Sequence, residues 1–313
     1  MSEWILIVVA RLALPLLQAL PLTWVAWIGR RGGALAWHLD RRHRRVALDN
    51  LRHAFPATDP ADRLAIAREN FRRIGENYAS ALRAATLRWE QLAPRVDLTG
   101  LAPAAAILDR HPDRSVVVAL GHFGNFELFT WIKVAFPGVQ LATTYRALRQ
   151  KLATRMLLRL RERSGCLFFE RRSDAAALRS ALRTRRTVLG LLADQHDGRG
   201  VRVPFLGRDA GTSTAPALLA LRYGCPLLTG FCLRTGFARW RLEMGDEIPT
   251  RTPDGRRRSL ADIASDMNRS FERAVRRDPA NWFWVHRRWK PAPVADAAAS
   301  GSAPAPVPTP APV

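Results

Sequence analysis

Ser115-Val116-Val117-Val118-Ala119-Leu120 runs directly into Gly121-His122-Phe123-Gly124-Asn125-Phe126-Glu127. An apolar run of five residues with three consecutive valines predicts a buried strand, and the glycine-flanked turn behind it predicts a passage into a helix. Outward from this stretch the rhythm repeats. Short apolar runs at Val139 to Thr143, Thr187 to Leu192 and Pro226 to Phe231 alternate with helical patterns near 148–163, 174–184, 214–223 and 259–277. Strands separated by helices imply an α/β fold, a single domain with a mixed sheet flanked by helices.

The turn after Leu120 is also where chemistry is expected. In open α/β sheets ligands bind beyond the carboxyl ends of strands, where polar groups stand on a rigid base. On a regular helix His122 and Glu127 would be separated by about 140°. With His122 in the turn and Glu127 in the first helical turn, the two can meet. A carboxylate that holds one ring nitrogen leaves the other free to take a proton from a hydroxyl. His122 and Glu127 are therefore the candidate catalytic pair. The spacing alone is a weak signal, since a histidine can simply cap a strand end.

The segment G-H-F-G-N-F-E resembles the first motif of the lipid A biosynthesis late acyltransferases, lauroyl and myristoyl transferases within the H-x4-D/E glycerolipid acyltransferase superfamily. Asn50-Leu51 with Ala54-Phe55-Pro56 is similar to the family's N-terminal signature. Thr144-Tyr145-Arg146 and Arg161-Glu162-Arg163-Ser164-Gly165 resemble its second block. The third is matched by Ala193-Asp194-Gln195, Val203-Pro204-Phe205-Leu206-Gly207 and Thr212 to Pro216, and the closing motif by Trp282-Phe283-Trp284-Val285-His286-Arg287-Arg288-Trp289-Lys290.

The resemblance implies a glycerolipid-acyltransferase-like domain. The donor it implies is an acyl carrier protein thioester, and the acceptor a hydroxyl of a phosphorylated glucosamine lipid. It also implies that His122 deprotonates the acceptor, that Glu127 orients His122, and that Arg146, Arg161, Arg163, Asp194 and Gln195 bind substrate. Spacing does not separate Arg161 from Arg163. Asp194 has independent support, because it follows the apolar run Thr187 to Leu192 and so falls beyond another strand end. His196 could line the same site, His286 reads as structural or interfacial, and His38, His43 and His53 read as surface. No metal site or organic cofactor is implied.

From Trp4 to Ile28 the chain is apolar except for Arg11, Gln18 and Thr23, long enough to span a bilayer. Arginines at 30, 31, 41, 42, 44 and 45 follow it, which places the rest on the cytoplasmic face of the inner membrane. The favoured reading is an N-terminal membrane helix over 1–30, with an interfacial helix as the alternative, then an acyltransferase domain over 31–290. Residues 291–313, rich in proline and alanine, read as a disordered tail.

The net charge of +22, with only Lys133, Lys151 and Lys290 as lysines, favours partners bearing phosphate or carboxylate. No nucleic-acid motif accompanies it, so nucleic acid is not an expected partner. Three cysteines without a C-x-x-C give neither a zinc site nor a disulfide framework. Gly211-Thr212-Ser213-Thr214-Ala215 lacks the second glycine of a hydrolase nucleophile elbow. Two alternatives stay open: an acyltransferase of the superfamily acting on another glycolipid or aminolipid, and a basic membrane-tethered binding protein without catalysis.

Overall fold

The computed structural model describes residues 15–147, 164–171, 173–184 and 186–290. The centre of the molecule is β2 (Val116–Leu120), whose five residues are all buried. It lies between β5 (Thr187–Leu192) and β8 (Leu227–Gly236), parallel to both, with Leu120 opposite Leu192 and Gly230. Strands covered on both faces read as continuous apolar runs rather than alternating ones. Val117 and Ala119 point into one core with Leu189 and Phe271, while Val116, Val118 and Leu120 point into the other with Phe129 and Ile132.

Around this centre the sheet runs in the order β1 (Val96–Gly100), β9 (Arg239–Met244), β8, β2, β5, β3 (Gln140–Tyr145), β4 (Leu167–Glu170). β3 and β4 continue the parallel half. β9 pairs antiparallel with β8, and β1 closes the far edge parallel to β9. A separate hairpin pairs β6 (His196–Phe205) with β7 (Arg208–Thr212).

The helices that matter for the site are α1 (Leu22–Leu39), α2 (Arg41–Ala54), α3 (Pro60–Ala84) and, near the end, α8 (Leu260–Arg277). Between them lie α4 (Trp89–Leu92), α5 (Ala102–Arg110), α6 (Ala175–Thr184) and α7 (Ala215–Tyr223). Their starts follow from local chemistry. Asp59 caps α3 by accepting from the Ala61 N–H, with Pro60 at the first position, and Ser259 caps α8 by accepting from the Asp262 N–H.

The expected N-terminal membrane helix is not what forms. Residues 15–19 are helical, the chain breaks at Leu20 and Pro21, and α1 then carries Arg30 and Arg31 onward to Leu39. No helix among the described residues is long and apolar enough to cross a membrane. Residues 4–14 of the apolar run lie outside the described residues. Two interactions that a hydropathy reading does not contain draw α1 onto α3. Gly29, Gly33 and Gly75 let the two backbones meet, since a Cβ on Gly75 would come within 2.1 Å of the Gly29 carbonyl oxygen. Arg30 donates to Glu69 at 2.8 Å and to Glu76 at 3.2 Å. Glu76 is fully buried and also accepts from Arg234 Nε and the Ala238 N–H, which ties both helices to β8.

Candidate active site

Four of the sequence-predicted residues stand where strands end. His122 follows β2, Arg146 follows β3, and Asp194 and Gln195 follow β5, all at the carboxyl edge of the parallel half. The turn at His122 is built by Gly124, whose φ of +50° is a left-handed conformation. A Cβ there would also lie 2.4 Å from the Cys232 carbonyl oxygen, so the position admits only glycine without displacement. The helix expected to begin near Glu127 forms as a 3-10 helix, Phe126–Val134, with Glu127 in its first turn.

The carboxylate on the His122 ring is Asp194. His122 Nδ1 lies 2.7 Å from Asp194 Oδ1, and the His122 backbone N–H donates to Asp194 Oδ2 at 2.8 Å. Trp282 Nε1–H donates to the same Oδ2 at 2.7 Å. Asp194 has no exposed surface. Burial opposes its ionisation, but the His122 ring, the His122 N–H and the Trp282 indole outweigh that and hold the carboxyl below its ordinary range. The ring bond fixes the tautomer and leaves Nε2 to handle a proton. Phe126 and Phe283 pack against the imidazole at 5.0 and 5.9 Å between centroids.

Sequence reasoning gave the partner role to Glu127 and placed Asp194 among substrate-binding residues. Glu127 is half-buried and lines two apolar cavities. One, of about 640 Å³, runs between the sheet and the 3-10 helix and is walled by Leu120, Phe129, Ala142, Phe168, Gly190 and Met244. The other, of about 910 Å³, is bounded by Tyr78, Leu82, Trp131 and Ser164. Burial and the Glu127 charge together raise the Tyr78 phenol. Arg146 is exposed at the site's margin. Arg161 and Arg163 lie outside the described residues.

What the sequence reading missed is the strap that closes the site. Phe123 pairs with Trp282 in an antiparallel bridge, and the Gly124 N–H donates to the Asn281 carbonyl. Two buried asparagines hold the strap from the helices: Asn50 Nδ2 donates to the carbonyls of Trp284 and His286, and Asn70 Nδ2 to those of Ala280 and Trp282. His286 Nε2 accepts from the His196 N–H, and burial pushes its imidazole down to about 4, so it stays neutral and structural. The signal was present as a tryptophan-rich cluster, without anything local to say which group each indole meets.

The profile of bacterial lipid A biosynthesis acyltransferases matches residues 1–291. The chain belongs to that family. It is an acyltransferase of lipid A biosynthesis. This acyltransferase is 26% identical over 287 residues to the lipid A biosynthesis palmitoleoyltransferase of Escherichia coli (strain K12), covering 89% of each chain. A lipid A biosynthesis acyltransferase of Shigella flexneri matches with the same identity and coverage.

Proposed function

We propose that this acyltransferase moves a fatty acyl group from an acyl carrier protein thioester to a hydroxyl of a lipid A precursor, with His122 as general base and Asp194 as the group that orients it. Nε2 of His122 takes the hydroxyl proton as the oxygen bonds to the thioester carbonyl carbon. The tetrahedral intermediate then expels the thiolate, and the imidazolium returns the proton to sulfur. Asp194 stabilises that imidazolium from the Nδ1 side, and Glu127 supplies a second negative charge five residues along. The observation that carries this reading is the 2.7 Å contact between His122 Nδ1 and a buried carboxylate at the carboxyl edge of the sheet. The adjoining cavity, walled by Leu120, Phe129, Phe168 and Met244, offers an acyl chain an apolar lining.

Arg146, Arg161, Arg163 and Gln195 are proposed to bind the phosphate-bearing parts of donor and acceptor, since guanidinium pairs bidentately with phosphate. The excess of positive charge favours encounter with an acidic carrier protein. The enzyme is proposed to work on the cytoplasmic face of the inner membrane, resting on it through the exposed apolar side chains Trp24, Trp27, Leu35 and Leu39 of α1.

The test is acyl transfer from carrier-protein thioester with purified variants. His122→Ala is expected to lower kcat by about 10²- to 10⁴-fold. Asp194→Asn keeps the shape but offers the ring a wrong partner, and a loss of similar order is expected. Full activity in either variant would refute the assignment.

A further inference from the structure

A basic cleft of about 1080 Å³ lies apart from the His122–Asp194 pair. Arg41, Arg42 and Arg45 line it from α2, Arg208 from the start of β7, and Arg287 and Lys290 from the end of the strap. Asp49 is the one carboxylate in the lining, and it already sits 3.4 Å from Arg52. Among the described residues, no carboxylate lies within ion-pairing distance of any of the six cations. The cleft is built on fixed parts. Its floor includes buried Asn50, bonded to the strap, and its wall includes Trp289, whose indole donates to Phe205 O and lies flat against the Phe205 ring.

The first turn of α2 contains no acid, and Arg41 and Arg42 stand at the positive end of the macrodipole, where a helix ordinarily favours negative charge. Asp40, the cap, is taken up by the backbone N–H and ring of His43. An anion in the cleft would satisfy the guanidiniums and the helix end together.

Asp40, Arg41 and Arg42 also border a shallow concavity formed by Gly32, Leu35, Ala36 and Leu39 of α1. Trp24, Ile28, Leu35 and Leu39 fall on one stripe of that helix at spacings of four, seven and four, and all four are exposed. Arg31 covers neighbouring Trp27 at 5.2 Å. An apolar stripe leading into a pit of cations is the two-part chemistry of a lipid with a phosphorylated head. A soluble anion would need no stripe.

We propose that this cleft binds the phosphomonoester headgroup of a bilayer lipid, whose chains lie along the exposed stripe of α1. The inference rests on the membrane contact proposed above and goes beyond it by assigning a headgroup and its ligands. It does not depend on the acyl-transfer chemistry.

The experiment uses the full chain and vesicles of phosphatidylcholine doped with either phosphatidic acid or phosphatidylserine at matched surface charge and constant ionic strength. A triple variant R42S/R208S/R287S is compared with R88S/R251S/R256S, which removes the same charge from exposed sites outside the cleft. The parent chain is expected to prefer phosphatidic acid. The cleft variant is expected to lose that preference, with affinity falling about tenfold or more, and the control variant to keep it. Equal losses in both variants, or equal binding of the two lipids by the parent, would overturn the headgroup assignment. Should inorganic phosphate raise the Tm of the parent but not of the cleft variant while vesicles show no preference, the ligand is a soluble phosphate and the lipid assignment falls. Absence of any vesicle binding by the parent would instead refute the membrane contact itself.

Discussion

Trp282 illustrates how one donor can set the chemistry of a distant ring. Its indole N–H and the His122 backbone N–H share Asp194 Oδ2, so Oδ1 is left for the imidazole. Trp282→Phe keeps most of the packing and removes one hydrogen bond to a buried charge, an interaction that contributes about 1.5–3 kcal/mol. The expected outcome is a fall in kcat of at least about tenfold with KM little changed. The carboxylate would be less well stabilised, so the acidic limb of the pH–rate profile should move to higher pH in the variant. An unshifted limb with unchanged kcat would show that the indole only fills space.

At the scale of elements, the crossing of α1 on α3 is the feature that decides what the N-terminal region becomes. Gly75→Ala adds a methyl where the Gly29 carbonyl already stands, and the gain in helix propensity of about 1 kcal/mol is too small to offset the clash. A net loss of about 2 kcal/mol is expected, read as a drop in Tm of roughly 4–8 °C. The same crossing shows what the sequence could and could not reveal. The central strands were legible because burial on both faces makes continuous apolar runs, and Val116–Leu120, Thr187–Leu192 and Leu227–Gly236 fall where such runs occur. β9 was not legible, because Arg239-Trp240-Arg241 alternates exposed arginine with buried tryptophan at an outer position of the sheet. The hairpin β6–β7 was hidden for a similar reason. The sequence predicts a membrane helix that ends at residue 30, whereas pairing of Arg30 with carboxylates some forty residues on carries the helix to Leu39. The site followed the same rule. His122 and Asp194 were each visible as polar residues behind strands, but their pairing depends on β2 and β5 being neighbours, which only the sheet order supplies.

For the whole molecule, the cavity proposed for the acyl chain and the sheet are one object, because Leu141, Val188 and Gly190 are strand residues that also form its wall. Enlarging one of them shortens the room available without touching the imidazole. Val188→Phe is expected to shift donor preference toward shorter acyl thioesters, each displaced methylene forfeiting about 0.8 kcal/mol of burial. Competition between carrier-protein thioesters of different length reads this directly, and an unchanged preference would move the acyl chain to the neighbouring cavity at Tyr78 and Trp131. The strap that fixes Asp194 comes late in the chain, after every strand of the sheet has been laid down. A chain cut just before Asp278 would therefore keep both members of the pair and the strands that present them, yet lack the indole donor and the bridge at Phe123 that brace them.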